Sequence, residues 1–440
     1  MRVDFVVQPV SGRPPAGSVA VPGDKSISHR ALILAALAEG ETRIHGLLAS
    51  EDCLNTLQAM QALGIDIRPD GEDWLVQGRG LCGLQAPVGP IDCGNSGTGM
   101  RLLAGLLAAQ PFDSELVGDA SLMQRPMRRI ADPLNAVGAA ITTDSDGTPP
   151  LRIQGSQALR DIDYAMPMAS AQVKSALLLA ALAAGRHARI TEPAVSRNHT
   201  ETLLQGFGVP LERQGSVIAL EPVPKLDSPG RLEVPGDLSS AAFFLVLGLL
   251  QEGAAIQLEG VGINATRDGL LRVLTRMGAR FELERRDRGS GEGWADIDVE
   301  PSALRAVDID ADDVALAIDE IPVLLVAAAC AEGTTRLRGA AELRVKESDR
   351  LAAMAAGLRA LGIEVTEYAD GLDVTGGKLQ GGEVDSFGDH RIAMAFAIAA
   401  TVAQGPVTIR NVANVATSYP RFRGDLSSLG IDIKEIEVSE

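Results

Sequence analysis

Six tripeptides of one kind recur along the 440-residue chain: Leu63-Gly64-Ile65, Val137-Gly138-Ala139, Phe207-Gly208-Val209, Met277-Gly278-Ala279, Leu361-Gly362-Ile363 and Leu429-Gly430-Ile431. Their glycines stand 74, 70, 70, 84 and 68 residues apart, and such regular self-similarity marks a repeated supersecondary unit. Each glycine follows an amphipathic segment, such as Asp52–Leu63 or Asp349–Leu361, where glycine suits the position just past a helix end. Each leads into strand-like alternation, such as Ile65-Asp66-Ile67. Upstream in every unit a Gly-rich or polar turn precedes an apolar helix. Those turns are Gly23-Asp24-Lys25-Ser26, Gly94-Asn95-Ser96-Gly97, Ala169-Ser170-Ala171-Gln172, Gly236-Asp237-Leu238-Ser239, Ile318-Asp319-Glu320 and Gly388-Asp389-His390. The unit reads as loop, buried helix, strand, amphipathic helix, glycine, strands, a βαβ-type module that places the fold in the α/β (α+β) class.

Roughly 100–200 residues per domain would allow two to four domains in a chain of this length. Val21-Pro22-Gly23-Asp24 and Val234-Pro235-Gly236-Asp237 are one signature written twice, with three repeats between the copies and three after the second. The expected domains are therefore 22–235, holding repeats one to three, and 1–21 plus 236–440, holding repeats four to six. The active site is expected in the cleft between them. Pro222-Val223-Pro224 through Pro229-Gly230 reads as the second crossing, and Arg285–Gly293 as a solvent-exposed hairpin insertion. The first helix of each repeat is apolar nearly all round, as in Ala176–Ala184, Ala241–Leu250 and Ile392–Ala400, so these helices are buried. That tells against a six-fold ring encircling DNA, which needs a basic inner face.

The balance of 40 basic against 58 acidic residues gives a net charge of −18. Nucleic acids and anionic membranes both require a positive field, so neither is an expected partner. Aromatic residues make up 3%, too few for base-stacking platforms. No apolar run approaches the ~18–20 residues of a membrane span, and Met1–Pro9 holds too short an apolar run for a signal peptide. Cys53, Cys82, Cys93 and Cys330 form no C-x-x-C pair, so neither a disulfide framework nor a zinc site is expected. A cytoplasmic protein is the reading.

The turns before the buried helices are where chemistry can sit, because a helix N-terminus offers unpaired N–H groups and partial positive charge to an anion. The first turn carries Lys25, Ser26 and Arg30. Ser26 and Arg30 share a helix face, as do Lys25 and His29. The small, polar run Asn95–Arg101 permits close backbone approach to an oxyanion. The third turn offers Ser170 and Gln172, the fifth Asp319 and Glu320, and the sixth Asp389, His390 and Arg391. Further basic groups fall at Gln124-Arg125-Pro126-Met127 and Arg344–Arg350. Taken singly, each has a plainer reading: a solvated arginine, Asp319 as a helix cap, or Lys346, Glu347 and Arg350 as i, i+3 and i, i+4 helix pairs. Recurrence in five of six repeats favours a site for compact polyanions. The fourth, Gly236–Ser240, lacks a basic residue and reads as structural. Gly78-Arg79-Gly80-Leu81-Cys82-Gly83 matches G-x-G-x-x-G, but Pro87, Gly89 and Pro90 follow instead of a helix. There is no P-loop pattern and no cluster at metal-ligand spacing, so no cofactor and no metal is expected.

At these residues the chain resembles the enolpyruvyl transferases, and within them the branch acting on shikimate 3-phosphate. The resemblance runs end to end and rests on Pro22–Arg30, Gly94–Arg101, Asp119–Met127, Ser170–Ser175, Arg344–Arg350 and Gly388–Arg391. It implies a two-domain inside-out α/β barrel of six β-α-β-α-β-β repeats, three per domain. It also implies transfer of the enolpyruvyl group of phosphoenolpyruvate to the 5-hydroxyl of shikimate 3-phosphate, with release of phosphate through a tetrahedral intermediate. By the same resemblance Asp319 is the base near the attacked hydroxyl, Glu347 the candidate proton donor, and Lys25 a contact to both substrates. Lys25, Ser26, Arg30, Ser170, Ala171, Gln172, Arg197, Asp319 and Lys346 would hold shikimate 3-phosphate. Lys25, Gly97, Arg125, Gln172, Arg350 and Arg391 would hold phosphoenolpyruvate. The seven basic residues among these read as a cationic cleft within an acidic surface. A monomer whose domains close on substrate is expected.

The sister branch acting on UDP-N-acetylglucosamine shares the fold but carries a cysteine in its mobile loop, whereas Asp119-Ala120-Ser121-Leu122-Met123-Gln124-Arg125 has none. A non-catalytic anion binder on the same scaffold is the other alternative, distinguished by an absence of phosphate release. Gly23-Asp24-Lys25, Ser170–Lys174, Arg197–Glu201 and Asn264–Arg267 resemble the second, more glyphosate-tolerant class. Gly97 nonetheless keeps the small residue that leaves room for that inhibitor, so intermediate sensitivity is expected. Ala416–Pro420 lacks the lysine that the first class places there, and Thr417 is not taken as a ligand.

Overall fold

The computed structural model describes residues 2–155, 158–286 and 292–438. All six repeat glycines adopt positive φ, from 80° at Gly208 to 108° at Gly138, a region where a side chain would be strained. The same pair of hydrogen bonds surrounds each. In the first repeat Gly64 N–H donates to Gln61 O and Ile65 N–H to Met60 O; in the last, Gly430 donates to Ser427 O and Ile431 to Leu426 O. This is the Schellman closure, which satisfies the last carbonyls of a helix and turns the chain into the following strand.

Each repeat contributes one four-stranded mixed sheet of a single design. In the second repeat Ile91–Asp92 runs parallel to Ser114–Val117, which pairs antiparallel with Leu151–Gln154, which pairs antiparallel with the edge strand Ala140–Thr142. The third repeat has the same order in Ile162–Ala165, Ala188–Thr191, Val217–Leu220 and Leu211–Gln214. Three repeats complete this order with a strand distant in sequence. Arg231–Glu233 supplies the parallel strand beside Glu39–His45, and Ala16–Val19 the one beside Ala255–Gly262. The N-terminal strand Arg2–Val7 fills the inner antiparallel place in the last sheet.

The described chain falls into two compact units: Gly23–Pro235 with Glu292, and residues 2–22, 236–286 and 293–438. In the first unit the helices Lys25–Leu37, Gly97–Leu107 and Ala171–Ala184 are buried along nearly their whole length. The second unit buries Leu238–Leu250, Ile321–Ala329 and His390–Thr401 in the same way. Each unit thus places apolar helices at its centre and sheets around them. The Arg285–Gly293 insertion falls largely on residues 287–291, outside the described residues. Its flanking strands, Arg280–Arg286 and Trp294–Glu300, pair antiparallel. Among the described residues no helix is long and apolar enough to cross a membrane, and no group of three or more His, Cys, Asp or Glu could hold a metal.

Close backbone approach sets the spacing of the buried helices. A Cβ on Gly105 would lie 2.2 Å from Ala176 O. Gly105→Ala therefore forces two helices apart and is expected to cost about 1–3 kcal/mol. Urea denaturation should show a lower midpoint, and an unchanged midpoint would contradict the packing account.

His29 is fully buried, with Nδ1 2.7 Å from Thr56 Oγ1 and Nε2 3.4 Å from Ser96 Oγ. Burial lowers its pKa from 6.5 to about 4, so the folded imidazole is neutral above that value. Between pH 6.5 and about 4 the unfolded chain binds the extra proton, and stability falls with pH at up to about 1.4 kcal/mol per unit. His29→Gln should remove this contribution, leaving a shallower loss between pH 6.5 and 4.5 in denaturation measured at both values. Equal slopes for the two proteins would contradict it.

Candidate active site

In the first unit Asp24 caps the Lys25–Leu37 helix, its Oδ1 accepting from Ile27 N–H at 2.8 Å. Lys25 is not paired with His29 along the helix; its Nζ reaches Asp52 Oδ2 at 3.0 Å. Arg30 is almost fully buried. Its Nη1 donates to Ser26 O at 2.8 Å, its Nε to Thr200 Oγ1 at 2.6 Å and its Nη2 to Ser175 Oγ at 2.8 Å. Burial pulls its pKa down to about 10, against the pull of Glu201 and Asp24, so it stays charged at neutral pH. Arg30 therefore organises the polar layer and fixes the carbonyl of Ser26.

A second group forms at the starts of the Gly97–Leu107 and Ala171–Ala184 helices. Ser96 and Ser170 cap them, accepting from Gly99 N–H at 3.0 Å and Val173 N–H at 3.4 Å. Arg101 Nη1 donates to Gln172 Oε1 at 2.9 Å, and Gln172 Nε2 to Thr98 Oγ1 at 3.1 Å. Arg125 Nη2 donates to Asn95 Oδ1 at 2.7 Å. A Cβ on Gly97 would stand 3.1 Å from both Arg101 Nη1 and Arg125 Nη1. Gly97, Arg125 and Gln172, far apart in sequence, are thus brought together around a glycine that two guanidiniums crowd. Ser170, Ala171 and Arg197 are half-buried in the same unit.

The second unit gathers the remaining residues around Arg350. This guanidinium is 1% exposed and meets three carboxylates: Asp389 Oδ2 at 2.8 Å, Glu347 Oε2 at 2.7 Å and Asp319 Oδ1 at 3.4 Å. Burial alone would lower its pKa, but Asp389, Glu347 and Asp319 together raise it above the usual arginine value. Asp389 also caps the His390–Thr401 helix, accepting from Arg391 N–H at 2.9 Å. Its own pKa is lowered: burial, the largest influence, would raise it, but the charges of Arg350 and His390 and the hydrogen bond from Arg350 together outweigh that. Arg391 Nη1 donates to Asp319 O at 3.2 Å.

Several sequence expectations are corrected here. Asp319 is not a cap; Glu320 holds the cap position of Ile321–Ala329 without a side-chain bond. Lys346 and Glu347 lie between the 3₁₀ turn Ala341–Val345 and the helix Arg350–Ala360 rather than within a helix, yet the i, i+3 pair of Glu347 with Arg350 forms, at 2.7 Å. Arg344 is structural, bound to Asp349 at 2.7 Å, Glu367 at 3.0 Å and the carbonyls of Tyr368 and Ala369. The fourth repeat is organised by Arg267, which meets Asp237 at 3.2 Å and Glu320 at 3.3 Å. The cations are not a bare field either: Lys25 has Asp52, and Arg350 has three carboxylates. From sequence alone Asp52 does not stand out, Asn95 and Arg101 read only as part of a small polar run, and Asp389 only as a polar residue of the sixth turn with no role of its own. Arg101 could be singled out, since it stands one turn after Gly97 on the same helix face.

The family model described as EPSP synthase (3-phosphoshikimate 1-carboxyvinyltransferase) matches residues 11–426. The 3-phosphoshikimate 1-carboxyvinyltransferase of Acidithiobacillus ferrooxidans is 56% identical over 419 residues, covering 95% of this chain and 96% of its own length. That of Nitrosococcus oceani is 54% identical over 431 residues, covering 98% and 96%. The structure of EPSP synthase from Acinetobacter baumannii matches with a TM-score of 0.90 at 46% identity, over 99% of this chain and 100% of that one. The enolpyruvyl transferase NikO from Streptomyces tendae matches with a TM-score of 0.81 at 20% identity over the full length of both chains, a likeness of fold alone. With a family model spanning nearly the whole chain and relatives above 50% identity, the chain belongs to the EPSP synthase family.

Proposed function

We propose that this protein transfers the enolpyruvyl group of phosphoenolpyruvate to the 5-hydroxyl of shikimate 3-phosphate and releases phosphate. The observation that carries the mechanism is the meeting of Asp319 and Glu347, distant in sequence, on the single buried guanidinium of Arg350. Addition and elimination require one group to take a proton from the attacking hydroxyl and another to give one to the enol carbon. Asp319 accepts the hydroxyl proton as the 5-oxygen bonds to C2 of phosphoenolpyruvate. Glu347 delivers a proton to C3, giving the tetrahedral intermediate. The bond from C2 to the phosphate oxygen then breaks, C3 returns a proton, and the vinyl group re-forms on the new ether.

Charge on carboxylate and phosphate must be held throughout, and guanidinium forks match those oxygens. Gly97, Arg125 and Gln172 in the first unit, with Arg350 and Arg391 in the second, serve phosphoenolpyruvate. Ser26, Ser170, Ala171 and Arg197, with Asp319 and Lys346, serve shikimate 3-phosphate. Arg30 fixes Ser26, and Lys25 serves both substrates. The protein acts as a cytoplasmic monomer and uses no cofactor.

Phosphate release from the two substrates together tests the proposal. Wild type should release phosphate only when both are present, and none at all would overturn it. Asp319→Asn should lower kcat roughly hundredfold or more, while Lys25→Ala should raise KM for both substrates.

Glyphosate is proposed to compete for the phosphoenolpyruvate subsite. The methyl of Gly97→Ala would enter the space between Arg101 and Arg125, 3.1 Å from each. Its inhibition constant should rise more than KM for phosphoenolpyruvate, and unchanged inhibition would contradict the steric account.

A further inference from the structure

Beneath the substrate-binding residues of the first unit lies a second polar layer that no step of the transfer uses. Lys174, on the Ala171–Ala184 helix one turn from Ser170, has a fully buried side chain. Its Nζ stands 2.6 Å from Glu201 Oε1 and 3.2 Å from Glu192 Oε2. Arg213 completes the group, 3.1 Å from Glu192 and 3.6 Å from Glu201. Two cations and two carboxylates balance, yet burying ions is costly, and packed apolar side chains of similar volume often do as well for stability. The cluster therefore calls for a role beyond stability.

Its outward bonds supply one. Lys174 Nζ donates to Ser196 O at 3.4 Å, and Ser196 Oγ donates to Glu192 Oε1. Both the carbonyl and the hydroxyl of Ser196 thus end on the buried cluster, and the next residue is Arg197. Glu201 lies in the first turn of the His199–Gly206 helix beside Thr200. Thr200 Oγ1 accepts from Arg30 Nε at 2.6 Å and meets Ser175 Oγ at 2.6 Å. One ammonium therefore joins the helix bearing Ser170, Ala171 and Gln172 to the segment bearing Arg197 and to the anchor of Arg30.

We propose that Lys174 is a positioning residue for shikimate 3-phosphate: it fixes Arg197 relative to Ser170 and Arg30, so the phosphate-binding groups are set before substrate arrives. The inference rests on the proposed function, and its test presupposes phosphate release by wild type; failure of that release would count against the reaction instead.

Lys174→Met leaves two buried carboxylates on Arg213 alone and should lower the thermal midpoint. Lys174→Met/Glu201→Gln restores the charge balance and should recover it. In this folded double variant KM for shikimate 3-phosphate should rise about tenfold, with KM for phosphoenolpyruvate and kcat within about twofold. Ser196→Ala, which changes no charge, should raise the same KM about threefold. A folded double variant with wild-type KM for shikimate 3-phosphate, or with both KM values rising together, overturns the proposal. If the double variant does not fold, a wild-type KM in Ser196→Ala overturns it alone.

Discussion

The structure depends on burying three apolar helices per unit with their N-terminal ends gathered. Helices apolar all round must be enclosed, and the sheets enclose them along their length. Their starts carry unpaired N–H groups and cannot be sealed in hydrocarbon, so they end in polar side chains. In the first unit Arg101, Gln172 and Thr98 link two of these starts, and His29, on the third helix, lies against the Ser96 cap of one of them. In the second, Arg391 reaches Asp319 and Ser239 reaches Glu320. A requirement of the core thereby concentrates polar chemistry at one end of each helix trio.

Much of the fold was legible because it rests on local chemistry. A glycine that must take positive φ to close a helix announces itself, and all six did so. Asp24, Ser96, Ser170, Asp237 and Asp389 were visible as polar residues preceding apolar runs, and each caps a helix. What stayed hidden rests on partners distant in sequence. Nothing near Lys25 indicates Asp52, and nothing near Arg350 indicates Asp389. Arg344 and Arg350 look equivalent in one basic run, yet one is spent on a surface turn and the other on three carboxylates. The strands that complete the first, fourth and last sheets are concealed likewise, since their partners lie at the far end of a unit or of the chain.

Electrostatics changes the meaning of the acidic balance. At −18 the chain would repel anions, and a purely cationic cleft would be the simple remedy. The second unit instead sets Asp319, Glu347 and Asp389 around Arg350. The guanidinium draws the three carboxylates together and partly offsets their charge, favouring their ionised forms. In the first unit, by contrast, Arg101 and Arg125 flank Gly97, and Arg30 is anchored by the hydroxyls of Thr200 and Ser175.

The central claim is that transfer proceeds by protonating C3 of phosphoenolpyruvate and later removing a proton from it. Nuclear magnetic resonance of product formed in D2O tests this most directly. The account predicts deuterium at the vinyl methylene of the product, since C3 passes through a methyl group that has gained a solvent proton. A product whose methylene carries no deuterium would contradict it.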